Sequence, residues 1–370
     1  MSDPGRFPPG RHPYYIVAPQ FVRTSAGVKA LHLLCHSLNR VGQEAFLVIH
    51  PAWSRSDATH PDLLTPQLDA AAVTRHKALG VSPIVVYPET IFGNLLGART
   101  VVRYVLNFPG LLGGDNTYPA TDIIFGYSQT LAAAAGVPGQ VLFIPASDAT
   151  IFTPPGFTFP GPGERRGSCF WAAKYQKVHK AELLPVTADS LEITRERPDS
   201  PQPHEIAEIF RRSEIFYAYE NTALALEAAL CLCPTVFLPN PWLTEVIAVK
   251  EMGWDGFAWG TSPEEIARAK ATVHLTRERY LSTYSQFWDQ LSAFVATTQL
   301  RAAADAARWR FPRRMDYLLR LPWLALAVWM LRAAVTVLVQ NGPVMLVQKS
   351  RRWIVRGVQA LIRRCRPARS

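Results

Sequence analysis

IFYAYENTALALEAALCLCPTVFLPN, Ile215–Asn240, is the stretch on which the fold reading turns. It opens with a short apolar run, Ile215–Ala218, of strand length. Asn221 and Thr222 follow, two residue types that accept hydrogen bonds from the first free N–H groups of a helix. The spacing then predicts a helix over Thr222–Cys231, stopped by Cys233-Pro234, and a second strand over Thr235–Leu238. Strand, helix and strand without a tight turn form a βαβ unit, whose strands lie parallel and are buried on both faces.

The same grammar recurs outward from this stretch. Tyr14–Ala18 is a strand, Val28–Leu38 a helical pattern and Ala45–Ile49 the next strand. Further strands are expected at Ile84–Tyr87, Val101–Leu106, Asp122–Tyr127, Val141–Pro145, Ser168–Ala172 and Leu191–Thr194, and a helix at Pro203–Arg212. A proline-rich stretch near 150–165 separates two such series, and long helices are expected from Pro263 to Arg310. The expected architecture is α/β: two Rossmann-like domains facing a cleft, residues 1–150 and 151–300, with a helical tail at 301–370.

Charge is distributed unevenly along the 370 residues, whose net charge is +10. From Arg301 to Ser370 there are 15 of the 39 Lys/Arg and 2 of the 29 Asp/Glu, so the tail carries +13 and the body −3. Leu321–Val339 is nineteen residues with one charge, Arg332, and both flanks are basic. The length suits a bilayer span, but Arg332 and two positive flanks favour a helix lying in the interface, its arginines on anionic headgroups. A nucleic-acid tail or a packed C-terminal helix are the other readings. The apolar residues between the charges and the acidic body weigh against nucleic acid. Residues 313–366 are therefore expected to meet an anionic membrane surface. Five cysteines, with a polar, proline-rich start in place of a secretory signal, fit the reducing cytosol. Cys231 and Cys233 have no partner pair at zinc spacing and read as small buried residues.

No G-x-G-x-x-G follows the first strand and no Walker A sequence is present, which disfavours a nicotinamide dehydrogenase or a P-loop ATPase. A helix start at Asn221-Thr222 offers N–H groups and a positive dipole end to a diphosphate. Glu227, about one and a half turns further on, could accept from both hydroxyls of a ribose. On spacing alone the segment also reads as an ordinary capped helix with a solvated glutamate.

Here a family resemblance adds to the residues. The segment resembles the donor region of retaining GT-B glycosyltransferases, in which a glutamate, seven residues and a second glutamate in an E-A sequence precede small-x-P and a strand. Glu227-Ala228 matches the second glutamate and Cys233-Pro234-Thr235-Val236 the strand entry. Strict spacing puts the first glutamate at Tyr219; Glu220 stands one residue later, a relaxed form of the motif known among bacterial polysaccharide and lipopolysaccharide enzymes. The resemblance spans about residues 14–260 and is specific around 215–240.

It implies a metal-independent hexosyltransferase that moves a sugar from a nucleotide-diphosphate sugar to a lipid-linked glycan or polysaccharide. The setting would be the cytoplasmic side of the cell membrane, with the protein peripheral or monotopic. No cofactor, no metal and no nucleic acid are expected. Donor binding falls to Gly27 in the first βα loop, Lys174 and Lys177 after the first strand of the second half, Asn221, Thr222 and Glu227. Glu89, Glu220 and His179 are the catalytic candidates. His32 and His36, four residues apart without a third ligand, read as packing or phosphate-facing. The rival reading is a non-catalytic glycan-binding or scaffold protein with a degenerate GT-B fold.

Overall fold

The computed structural model describes residues 7–50, 58–156, 165–195 and 200–306. The tail from 307, including 313–366 and the apolar stretch 321–339, lies outside the described residues, as do 157–164 within the expected linker. Among the described residues no helix is long and apolar enough to cross a membrane.

Two five-stranded parallel sheets organise the chain. The first contains β1 (Tyr14–Ala18), β2 (Ala45–Ile49), β3 (Ile84–Pro88), β4 (Thr100–Val105) and β5 (Ile123–Gly126), in the order β2-β1-β3-β4-β5. The second contains β6 (Ser168–Trp171), β7 (Leu191–Glu192), β8 (Ile215–Ala218), β9 (Thr235–Phe237) and β10 (Phe257–Trp259), in the order β7-β6-β8-β9-β10. Numbered within each half, both orders are 2-1-3-4-5. Both halves therefore reverse direction between their first and third strands, where an open α/β sheet leaves a crevice at its carboxyl edge.

The strands form where the sequence is apolar without alternation, because both faces are covered. Every residue of β1, β3 and β4 is buried. Within β4 this includes Arg103, which pairs with Asp122 at 2.8 Å and lies over the rings of Tyr87 and Tyr118. Helix α1 (Ala26–Arg40) starts where Ser25 accepts from Val28 N, and presents Leu31, Leu34, Cys35 and Leu38 to the first sheet. Gly42, at φ +78°, turns the chain into β2. The helices α2 (Ala70–Ala78) and α3 (Gln129–Ala134) complete the first half. In the second, α4 (Ala173–Lys177), α5 (Pro203–Arg212), α6 (Ala223–Leu230), α7 (Val249–Met252) and α8 (Pro263–Thr272) connect the strands. Cys169, Cys231 and Cys233 are fully buried in that half's core.

Two expectations change. Val141–Pro145 is not a strand. It touches β5 through one bridge, Gly126 to Val141. Phe143 N then donates to Gln290 Oε1 at 2.7 Å, so the ladder donor is spent on another element. Pro145 has no N–H to offer.

Residue 300 is also not a structural break. Helix α9 (Thr276–Ala306) begins in the second half, where Tyr280 joins its core. It then crosses to the first, where Phe287, Leu291, Phe294, Val295 and Ala302 pack against β1, β4 and α1 residues. Gln299 exchanges two bonds with the backbone of His12, and Thr298 meets the Tyr14 hydroxyl at 2.8 Å. The last turn is held by Asp305, which accepts from Thr100 Oγ1 at 3.0 Å.

Phe294, fully buried between Tyr14 and Phe125, tests this allegiance. Phe294→Ala should cost ~3–5 kcal/mol of the first half's stability, seen as a lower urea midpoint. A cost below about 1 kcal/mol, the surface range, would mean that α9 does not pack there.

Candidate functional site

The crevice of the second half lies between the carboxyl ends of β6 and β8. Glu220 closes it from one side. Its carboxylate accepts from Trp171 Nε1 at 2.6 Å, Lys174 N at 2.8 Å and Tyr175 N at 3.3 Å. Helix α4 has no side-chain cap of its own, since Ala172 stands at its N-cap. Glu220 supplies that cap from a neighbouring strand. Burial pushes its carboxyl above the usual range, opposed by the Lys174 ammonium and the three bonds. Glu220 is thus placed to fix the backbone of Lys174, whose side chain is exposed at the crevice mouth.

On the first half Glu89 follows β3, at the corresponding crevice. It is 3% exposed and accepts from Leu106 N at 3.0 Å. The loop after β4 folds tightly over it. A Cβ on Gly114, whose φ is +78°, would stand 1.7 Å from Glu89 O, so only glycine fits there. Burial raises the Glu89 carboxyl to about 7, opposed by its backbone bonds and by Lys174. One lysine of the second half therefore acts on a carboxylate from each half.

Glu227 lies where the sequence put it, on α6, but it is neither solvated nor open. It is 1% exposed. Arg195 Nη2 stands 2.5 Å from one oxygen. Lys29 Nζ stands 3.9 Å and Ser147 Oγ 3.4 Å from the other. Lys29 comes from α1 and Arg195 from the loop after β7, so the cluster joins the halves. Burial lowers the Lys29 pKa, and Glu227 opposes that. The reading of a solvated glutamate is overturned, because the charge is matched inside the protein. Sequence reasoning missed Lys29, Ser147 and Arg195, which carry no motif. The available signal was Lys29 itself, a cation beside the apolar stripe of α1.

The remaining candidates separate. Thr222 is the N-cap of α6, accepting from Leu224 N at 3.3 Å. Asn221 spends its amide on the loop after β9, donating to Glu245 O and accepting from Ile247 N. Gly27 is not in the first βα loop but in the first turn of α1; a Cβ there would meet Leu106 only at ordinary distance, 3.7 Å. Lys177 ends α4 and is exposed. His179 stacks on Trp242, centroids 4.3 Å apart and planes within 13°. That arrangement gives a flat rim rather than an aimed base. His32 packs on Phe21 and meets Pro19 O, while His36 accepts from Leu64 N, so both are packing residues. Among the described residues no cluster of three or more His, Cys, Asp or Glu could hold a metal.

Solved structures similar to this chain are glycosyltransferases. One is AviGT4, involved in avilamycin A biosynthesis, at 13% identity over 80% of this chain and 99% of that one, TM-score 0.36. Another is the calicheamicin glycosyltransferase CalG4, at 15% identity over 84% and 99%, TM-score 0.33. A third is MurG of Acinetobacter baumannii, at 11% identity over 85% and 99%, TM-score 0.30. No family model and no curated protein matches the chain. The twin-sheet architecture is set by the chain's own strand orders.

The Glu227 cluster has a measurable strength. Glu227→Ala leaves two half-buried cations without their carboxylate and should cost ~2–4 kcal/mol, somewhat less than breaking a fully buried pair. Adding Lys29→Met should recover part of that loss in a double-mutant cycle read by thermal unfolding. Strict additivity of the two changes would show that the pair does not interact.

Proposed function

We propose that the protein is a GT-B glycosyltransferase that moves a sugar from a nucleotide-diphosphate sugar to a lipid-linked glycan or polysaccharide at the cytosolic membrane face. The observation that carries this reading is Lys174. It is exposed at the mouth of the second crevice, fixed through its backbone by Glu220, and felt by Glu89 across the cleft.

In this reading the donor lies with its diphosphate against Lys174, with Lys177 behind it. A departing nucleoside diphosphate needs positive charge close by as the bond breaks, and an ammonium carried on an anchored backbone supplies it. Glu220 is then a positioning residue. Glu89, whose carboxyl titrates near neutrality, is the candidate base for the acceptor hydroxyl. Closing the halves excludes water from the glycosyl cation and so favours transfer over hydrolysis. Contact of Glu227 with a ribose requires the hydroxyls to replace Lys29 or Arg195. The basic stretch 313–366 would hold the enzyme at anionic lipid, where lipid-linked acceptors are built. No metal or cofactor is assigned.

One observation favours a second reading. Glu220 and Glu227 already have protein partners, as they would in a non-catalytic glycan-binding or scaffold protein with the same fold. Calorimetry with nucleoside diphosphates and a panel of nucleotide sugars separates the two. The enzyme should bind a nucleoside diphosphate, and Lys174→Ala should weaken binding by about tenfold to a hundredfold, the loss of one charge-assisted contact. No binding by the unaltered protein would sink the glycosyltransferase reading.

A base must be deprotonated, so transfer should rise with pH through about 7, the Glu89 value. Stability should move oppositely. The folded pKa lies above the ordinary 4.5, so this group's contribution is full below 4.5 and is lost as pH rises through about 7. Glu89→Gln should abolish the rise in activity and flatten the difference in stability across that window. An unchanged pH–rate profile in the variant would remove Glu89 as base.

A further inference from the structure

A cavity of about 160 Å³ lies where the halves meet. Gly27 and Ala30 of α1 and Leu106 after β4 form one wall; Phe237, Val246 and Trp254 of the second half form the other. Among the described residues, none that lines it is charged. Its polar side chains are Tyr127, Ser147, Asn221, Thr222 and Tyr280, and their bonds are made within the protein. Tyr127 donates to Ile144 O and Tyr280 to Ser147 O. Ser147 Oγ turns to Glu227, Asn221 pins the 245–247 loop, and Thr222 caps α6.

A sugar or a phosphate placed there would lose its hydrogen bonds to water and find few in return. An apolar group loses nothing of the kind. The size is also informative, because an apolar cavity of about 150 Å³ accommodates one benzene ring. The volume fits a single ring better than an extended chain.

We propose that this cavity binds a ring-sized apolar group of the acceptor, either aromatic or alicyclic. The assignment to an acceptor rests on the glycosyltransferase reading; it narrows the acceptor to an amphiphile with a compact apolar end. Gly27 and Thr222 line the cavity close to the expected donor, so a hydroxyl attached to that group would lie near the sugar to be transferred. Both halves contribute walls, so occupancy favours their closed arrangement.

Benzene serves as the probe, with the full chain, and binding is read by the shift of the thermal midpoint and by titration calorimetry. Saturable binding is expected in the unaltered protein. Ala30→Leu, which fills the cavity from α1, should weaken it at least tenfold while leaving nucleoside diphosphate binding in place. Ala248→Leu fills it from the opposite wall and stands in if the first variant does not fold. No saturable benzene binding, or binding undiminished in both filled variants, overturns the cavity as a site even where nucleoside diphosphates bind normally. Benzene binding by a protein that binds no nucleoside diphosphate overturns the assignment to an acceptor.

Discussion

The buried carboxylate of Glu227 is the contact on which the relation of the two halves depends. Its neighbours come from α1, from the segment after β5 and from the loop after β7. An isolated buried carboxylate is unstable as a charge, so it requires its cations. One of those cations belongs to the other half. Arg195 comes from the half that holds Glu227 and Lys29 from the other, so the two halves share this charge. The register between the crevices follows from that requirement, and with it the reach of Lys174 toward Glu89.

Much of the fold was legible because buried parallel strands are written as unbroken apolar runs. YYIVA and IVVYP could hardly be anything else. The cap residue Thr222 marked its helix correctly. What stayed hidden was pairing over distance. The apolar face of α9 fits either sheet, and its pattern does not say that it leaves one core for the other. Val141–Pro145 has strand composition, yet its fate was decided by Gln290, 147 residues from the amide it accepts from.

The site was legible in a more divided way. The motif resemblance drew attention to Glu227 and Glu220 without revealing what holds them. Glu220 works as a cap for α4, a role set by the absence of a capping side chain at Ala172. That one-residue departure in spacing makes physical sense: position 219 is a buried tyrosine bonded to Thr187 and Leu184 N, while position 220 reaches Trp171 and the α4 backbone. Ionisable residues of opposite sign in distant segments carry no sequence mark of their partnership, which is why Lys29 and Arg195 emerged only in three dimensions.

Among the described residues the chain joins the halves after β5 and again along α9, and the two passages are laced together. Tyr280 exchanges bonds with the backbone of Ser147, and Arg277 reaches Ala149 O and Phe152 O. Two crossings tied side by side behave as a leaf hinge rather than a tether. Bonds of that kind resist twist and sliding of one half on the other more than bending about the line that joins them. The lacing works together with the Glu227 cluster, so the alignment across the cleft is built into the chain and owes nothing to what the cleft contains.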